Sequence, residues 1–129
     1  MKALHPDLSP AERERLFRLG TDLFNQGQFF EAHEVWEEIW RSTKPEPKGF
    51  FQGLIQAAAA LHQFRDLKRR EGPRRTLAKA RRNLEPYTPS ALGIDVESLL
   101  RSVGEWEAWL EIPTEDPPAF PALNPKSKI

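Results

Sequence analysis

The spacing of apolar side chains along the chain predicts helices. Apolar residues recur at every third or fourth position in five separate segments, the period of one face of an α-helix. No segment alternates apolar and polar residues as a half-buried strand does. The pattern therefore predicts an all-α chain, a single compact bundle of about five mostly antiparallel helices. The predicted helices cover about residues 10–26, 28–42, 49–68, 73–85 and 95–111.

Residues that start and stop helices support these boundaries. Ser9, with Glu12 three positions later, matches a capping box, and Pro10 suits a first helical position. Gly27 is placed to end the first helix in a left-handed conformation. Gly72-Pro73 breaks the chain before the fourth helix, and Asp95 is a good cap for the fifth.

The third segment is apolar on most of its circumference, which is typical of a central helix covered by its neighbours. Its polar exceptions, Gln52, Gln56 and Gln63, fall on one narrow stripe. In the first two segments, Gly20, Gly27, Ala32 and Trp36 have the spacing of a tetratricopeptide hairpin, in which small residues let two helices approach. The pattern does not recur about 34 residues later, so a repeat scaffold is not expected.

Prolines dominate the end of the chain. They stand at positions 113, 117, 118, 121 and 125 and are incompatible with a continuing helix. We therefore expect a helical domain over residues 1–112 and an extended tail over 113–129. Phe120 and Leu123 are the side chains that could pin this tail to the helices.

Composition and charge restrict the function classes. The 129 residues carry a formal net charge of zero, which argues against a protein built overall to bind nucleic acid. The absence of cysteine excludes disulfides and thiolate chemistry. No apolar run approaches the roughly 20 residues of a membrane span, and the first residues do not resemble a signal peptide, so we expect a cytoplasmic protein. Few thermolabile residues and frequent prolines are compatible with a heat-adapted source.

One segment of the second helix has residue types that could carry chemistry. His33, Glu34 and Glu37 form an H-E-x-x-E string, one residue type away from the H-E-x-x-H of zinc hydrolases. His33 and Glu37 are four apart and therefore neighbours on one helix face. A catalytic zinc needs three protein ligands, and His62 is the candidate third ligand. His5, in the lead-in, is a poorer one.

The favoured interpretation of the same residues is structural. A partly buried His33–Glu37 pair can satisfy itself by hydrogen bonding and could meet Gln52 and Gln56 of the next helix. Such a polar network would hold helix two against helix three. His62 shares a helix side with apolar residues and can equally be a half-buried core histidine. No nucleophile elbow or phosphate-binding loop is present in the sequence.

A basic stretch runs from Arg65 to Arg82, where nine Lys and Arg residues stand against Asp66 and Glu71. Phosphate contacts with nucleic acid are conceivable there. However, no aromatic residue lies between Arg65 and Leu84 to stack on bases, so a solvated face, or pairing with the acidic helices, is favoured.

Two runs are specific enough to identify a family resemblance. They are FNQGQFFEAHEVWEEIW at 24–40 and FQGLIQAAA at 51–59. The chain resembles domain-of-unknown-function family 309 over roughly residues 10–87. The resemblance implies a small multihelical bundle of prokaryotes and plastids with no assigned activity. The signature polar residues that the resemblance implies are Glu31, His33, Glu34, Glu37, Gln52 and Gln56. The chain departs from the family at Glu71, where an Asn is expected before Gly72.

From these observations we expect a non-catalytic helical module that binds a protein partner or a small ligand, with self-association as a further alternative. No cofactor is expected for such a module. The opposing hypothesis is a metal-dependent, hydrolase-like enzyme that uses His33 and Glu37 with a divalent ion.

Overall fold

The backbone of the computed structural model confirms the all-helical prediction over the residues that it describes, which are 7–42, 45–114 and 116–124. His5 lies outside these residues. A 3-10 turn, Glu85–Tyr87, and two short strands, Ser90–Ala91 (β1) and Ile94–Asp95 (β2), follow the fourth helix. The five helices are Pro10–Asn25 (α1), Phe29–Trp40 (α2), Lys48–Arg65 (α3), Glu71–Leu84 (α4) and Val96–Glu111 (α5).

The predicted starts of α1 and α5 are capped by side chains, and the predicted end of α1 is confirmed at Gly27. Ser9 and Glu12 form a reciprocal capping box at the start of α1. Gly27 follows α1 with a φ of 79°, a conformation in which glycine meets no steric penalty. The Asp95 carboxylate accepts a hydrogen bond from the backbone of Ser98 at the start of α5.

The junction between α3 and α4 differs from the prediction at both ends. Helix α3 ends at Arg65, three residues before the predicted end, because Lys68 takes a left-handed φ of 59° that an α-helix does not allow. Helix α4 begins at Glu71, two residues before the predicted start. Pro73 is tolerated there because backbone N–H groups in a first turn have no partner within the helix.

The strands were not predicted. In the antiparallel pair, Ser90 lies opposite Asp95 and Ala91 opposite Ile94, with Leu92 and Gly93 at the turn. Both turn residues have positive φ angles, of 49° and 78°. Strands of two residues are too short to show alternation, which explains why periodicity did not reveal them.

Helix α3 is the central element, as predicted. It packs between α2 and α4, while α1 lies on α2 and α5 lies on α4. Nine of its eighteen residues are buried. The α1–α2 contact is close at Gly20, where the indole of Trp36 fills the space that a side chain would take. The expected pinning of the tail is also confirmed, since Leu123 is only 1% exposed and Phe120 stacks on Trp106.

None of the helices in the described part of the chain is both long enough and apolar enough to span a bilayer.

Candidate functional site

The candidate site lies at the edge of the buried face of α2. Phe29, Ala32, Trp36 and Ile39 form that face, and all four are completely buried. His33 and Glu37 flank it one turn apart, with 20% and 24% of their side chains exposed, whereas Glu34 is 56% exposed. The helix period therefore places an imidazole and a carboxylate at the boundary between core and solvent.

The two nitrogens of His33 face different groups. Nδ1 lies 3.3 Å from the backbone oxygen of Phe30 and 3.9 Å from Oε2 of Glu34. Nε2 lies 3.5 Å from Oε2 of Glu37. Because a carbonyl only accepts, the contact with Phe30 is a hydrogen bond when Nδ1 carries the proton. In that tautomer the lone pair of Nε2 points toward the carboxylate of Glu37.

His33, Glu34 and Glu37 form a cluster suited to a metal ion. One ligand atom from each residue lies within 4.8 Å of the other two. Arg41 contacts the second oxygen of Glu37 at 3.3 Å and so orients its carboxylate. Imidazole and carboxylate are the ligand types that divalent zinc and related ions accept. We name this set the α2 cluster.

The other signature residues lie apart from the α2 cluster. Gln56 accepts a 2.7 Å hydrogen bond from the amide of Asn83, which belongs to α4. Among the described residues no hydrogen bond joins Gln52 or Gln56 to His33 or Glu37. Within the glutamine stripe of α3, Gln56 thus contacts α4, and the expected network of the stripe with α2 remains a prediction. Glu31 is exposed in the first turn of α2.

His62 does not join the α2 cluster, and Glu34 takes the place predicted for it. Nδ1 of His62 lies 2.8 Å from Oδ2 of Asp66, the residue that caps the end of α3. Arg65 donates to both oxygens of Asp66, at 2.9 and 3.1 Å. His62, the predicted third ligand, therefore contacts the carboxylate at the end of its own helix instead of the α2 cluster.

The ring of Phe30 connects the two histidines. Its centroid lies 5.6 Å from the ring of His33 and 5.0 Å from that of His62, and the residue is 44% exposed. The sequence reasoning missed both Phe30 and Asp66. The signal for Asp66 was available, because it follows His62 by four residues, as Glu37 follows His33.

The Asp66 carboxylate is held in its charged form. Hydrogen bonds from Arg65, and then from His62, lower the pKa of Asp66 from 3.8 to about 2. An ionised carboxylate only accepts hydrogen bonds, so Nδ1 of His62 is the donor.

A folded-state pKa below the unfolded value makes the stabilisation by Asp66 complete above about pH 4 and lost as the pH falls toward about 2. We expect the Asp66→Asn variant to lack this component, so that its melting temperature falls less than that of the natural protein between pH 4 and pH 2. Thermal unfolding followed by circular dichroism over that range measures the difference. Melting temperatures that fall in parallel between pH 4 and pH 2 for the two proteins would contradict the stabilisation by the charged Asp66.

Several arginines of the basic stretch are paired with acidic groups. Arg74 and Arg75 contact Glu71, and Arg81 donates to both carboxylate oxygens of Glu107 in α5. These contacts support the interpretation of the stretch as a face that pairs with acidic side chains. That the stretch does not bind nucleic acid remains a prediction.

Comparison with known proteins supports the family resemblance and adds no activity. An uncharacterized protein of Aquifex aeolicus (strain VF5) is 48% identical over 44 residues, which are 33% of this chain and 13% of that relative. The matched segment thus spans a small part of the relative's length. The family model described as domain of unknown function (DUF309) matches residues 17–75, which include α2 with its cluster and all of α3. The chain is therefore similar to the DUF309 family over residues 17–75.

Proposed function

We propose that the chain is a binding module in which the α2 cluster holds a divalent cation of the zinc type and presents it to a small ligand or protein partner. The observation that carries the proposal is the 3.5 Å separation of His33 Nε2 and Glu37 Oε2. Two ligands on a tetrahedral zinc ion, each about 2.0–2.2 Å from it, lie roughly 3.3–3.6 Å apart. The spacing is long for a hydrogen bond and suited to a shared ion.

The surroundings of His33 support the same proposal. Histidines that bind metals usually donate their second ring N–H to a carboxylate or a backbone carbonyl, which fixes the tautomer. The contact of His33 Nδ1 with the Phe30 oxygen supplies that partner. Glu34 is more exposed than the other two residues, so its carboxylate can turn toward an ion at little cost. Three protein ligands leave a coordination position open for a further group.

The test is a titration of metal-free protein with zinc, manganese and iron(II), followed by elemental analysis after desalting. We expect one ion per chain, and an affinity at least about ten-fold lower in His33→Ala and Glu37→Gln, because each change removes a ligand. His62→Ala is the matched control: it removes an imidazole of similar exposure that also has a carboxylate four residues away. It is expected to keep the ion.

A purely structural role makes the opposite prediction. The metal-free His33→Ala protein would then melt roughly 3–6 °C below the natural protein for a loss of about 1 kcal/mol. Zinc would leave the melting temperature of the natural protein unchanged, whereas a bound ion raises it by linkage. Absence of saturable uptake by the natural protein would overturn the proposed cation site.

The second candidate function is metal-dependent hydrolysis, and the His62–Asp66 pair favours it. An imidazole oriented by a carboxylate, with its second nitrogen available, is the arrangement of a general base. Here it lies across the exposed ring of Phe30 from His33. Hydrolysis of simple ester and phosphate ester substrates that requires the metal, and that is lost in both His33→Ala and His62→Ala, would favour the enzyme over the binding module.

A further inference from the structure

We propose that the groove holding the tail is a peptide-recognition site for an extended segment of the pattern Phe-Pro-x-Leu-Asn. The tail is defined here as residues 116–124, and it occupies the groove of its own chain. The groove is formed by five residues from α1, α2, α3, β2 and α5: Asn25, Phe29, Arg65, Asp95 and Trp106.

The groove binds the tail through backbone atoms. The indole N–H of Trp106 donates to the oxygen of Ala119 at 2.9 Å. The Asn25 side chain accepts from the Leu123 N–H at 2.7 Å and donates to the Leu123 oxygen at 3.1 Å, across 98 positions of sequence. The backbone N–H of Asp95 donates to the oxygen of Asn124 at 2.9 Å. Contacts of this kind recognise an extended chain without reading its side chains.

Two side chains of the tail, Phe120 and Leu123, determine which peptide sequences the groove accepts. The ring of Phe120 stacks on Trp106 at a centroid distance of 5.2 Å and an angle of 8°. Its other neighbours are the ring of Phe29 at 5.4 Å and the guanidinium of Arg65 at 5.8 Å. Leu123 is 1% exposed. In an extended chain with three residues per turn, positions 120 and 123 lie on one side, and Pro121 between them favours that conformation.

The arrangement therefore has the parts of a peptide site: backbone hydrogen bonds, an aromatic slot with a cation above it, and an aliphatic slot three residues further on. Polar groups from distant parts of the chain converge on one backbone segment, so any segment with the same pattern can replace the tail. The tail competes at a high effective concentration because it is covalently attached.

The test uses full-length protein in which the tail is released by Phe120→Ser and Leu123→Ser. A synthetic peptide of residues 116–124 is added, and binding is followed by tryptophan fluorescence and calorimetry. We expect saturable one-to-one binding to the released variant, and binding at least about ten-fold weaker to the natural protein, where the tail occupies the groove. A peptide with Ser in place of Phe120 is expected not to bind.

The groove side of the contact is tested with Asn25→Ala in the released variant, which should lower peptide affinity by about ten-fold or more, since two hydrogen bonds are lost. Gln26→Ala is the matched control, because the amide of this neighbouring residue contacts the side chain of Gln28 and no hydrogen bond joins it to the described part of the tail. If the double variant loses helicity, Leu123→Ser alone serves instead, because it removes the buried anchor of the tail beside Asn25. No binding to a folded released variant, or equal effects of Asn25→Ala and Gln26→Ala, would overturn the proposal.

Discussion

Gly20→Ala is expected to lower the free energy of unfolding by roughly 2–4 kcal/mol, although alanine is the better helix former. A β-carbon at this position of α1 would lie 2.2 Å from Nε1 of Trp36 and 2.6 Å from its Cδ1. The indole cannot move aside, because it is completely buried and packs against Phe24 at 5.8 Å. Helices α1 and α2 must separate, and the contacts between them are lost.

The expected fall in melting temperature is about 10 °C, measured by circular dichroism or calorimetry. Gly104→Ala is the matched control, because a β-carbon at this helical position of α5 meets nothing within 4 Å in the described part of the chain. It should stabilise the protein by about 0.5–1 kcal/mol. Adding Trp36→Phe to Gly20→Ala should recover part of the loss, since the smaller ring vacates the space. A Gly20→Ala protein as stable as the natural one would show that this close approach is wrong.

Trp106→Ala is expected to have the other large effect, a loss of roughly 3–5 kcal/mol. Trp106 is 1% exposed and contacts the rings of Phe64 at 5.1 Å and Phe120 at 5.2 Å. Its removal leaves a cavity below the tail and withdraws the hydrogen bond to Ala119. Denaturant unfolding measures the loss, and faster hydrogen exchange of the Leu123 amide is expected to accompany it, because the tail is released.

Two tryptophan-to-phenylalanine variants separate the ring from its N–H group. Trp106→Phe leaves the Ala119 oxygen without its donor, so a cost of about 1 kcal/mol beyond the change in ring is expected. The indole N–H of Trp109, the matched residue three positions along α5, is buried and has no hydrogen-bond partner among the residues that the structure describes. Trp109→Phe therefore removes an unsatisfied donor and should be neutral or stabilising. A larger loss of stability for Trp109→Phe than for Trp106→Phe would contradict the roles given to the two indole N–H groups.

The helices were predictable because their signals are local. Helical periodicity placed Phe29, Ala32 and Trp36 on one face of α2, and Ser9 with Glu12 marked the start of α1 from residues three apart. The predicted helices and strands differ from the structure where single residues with positive φ angles set the direction of the backbone. The left-handed conformation of Lys68 shortened α3, and that of Leu92 allowed the β1–β2 turn.

The candidate site was predictable in part for the same reason. His33, Glu34 and Glu37 lie within one helical turn, so their proximity follows from the helix alone. The partner of Gln56 did not follow from the sequence, because Asn83 is 27 positions away and the choice between α2 and α4 depends on how the helices cross. The contact of His62 with Asp66 instead of the α2 cluster also depends on that packing, because the packing sets how far His62 lies from Glu37.

The helical class, most helix ends and the α2 cluster follow from the sequence alone, as does the similarity of residues 17–75 to a family without a known activity. Each of these depends on neighbours within one or two helical turns, where backbone geometry is nearly constant. The packing of the helices, which the sequence does not reveal, brings Gln56 to α4, the ring of Phe30 to both histidines, and Asn25 to the tail. These contacts join residues far apart in sequence, and their geometry is set by the packing of whole helices against one another.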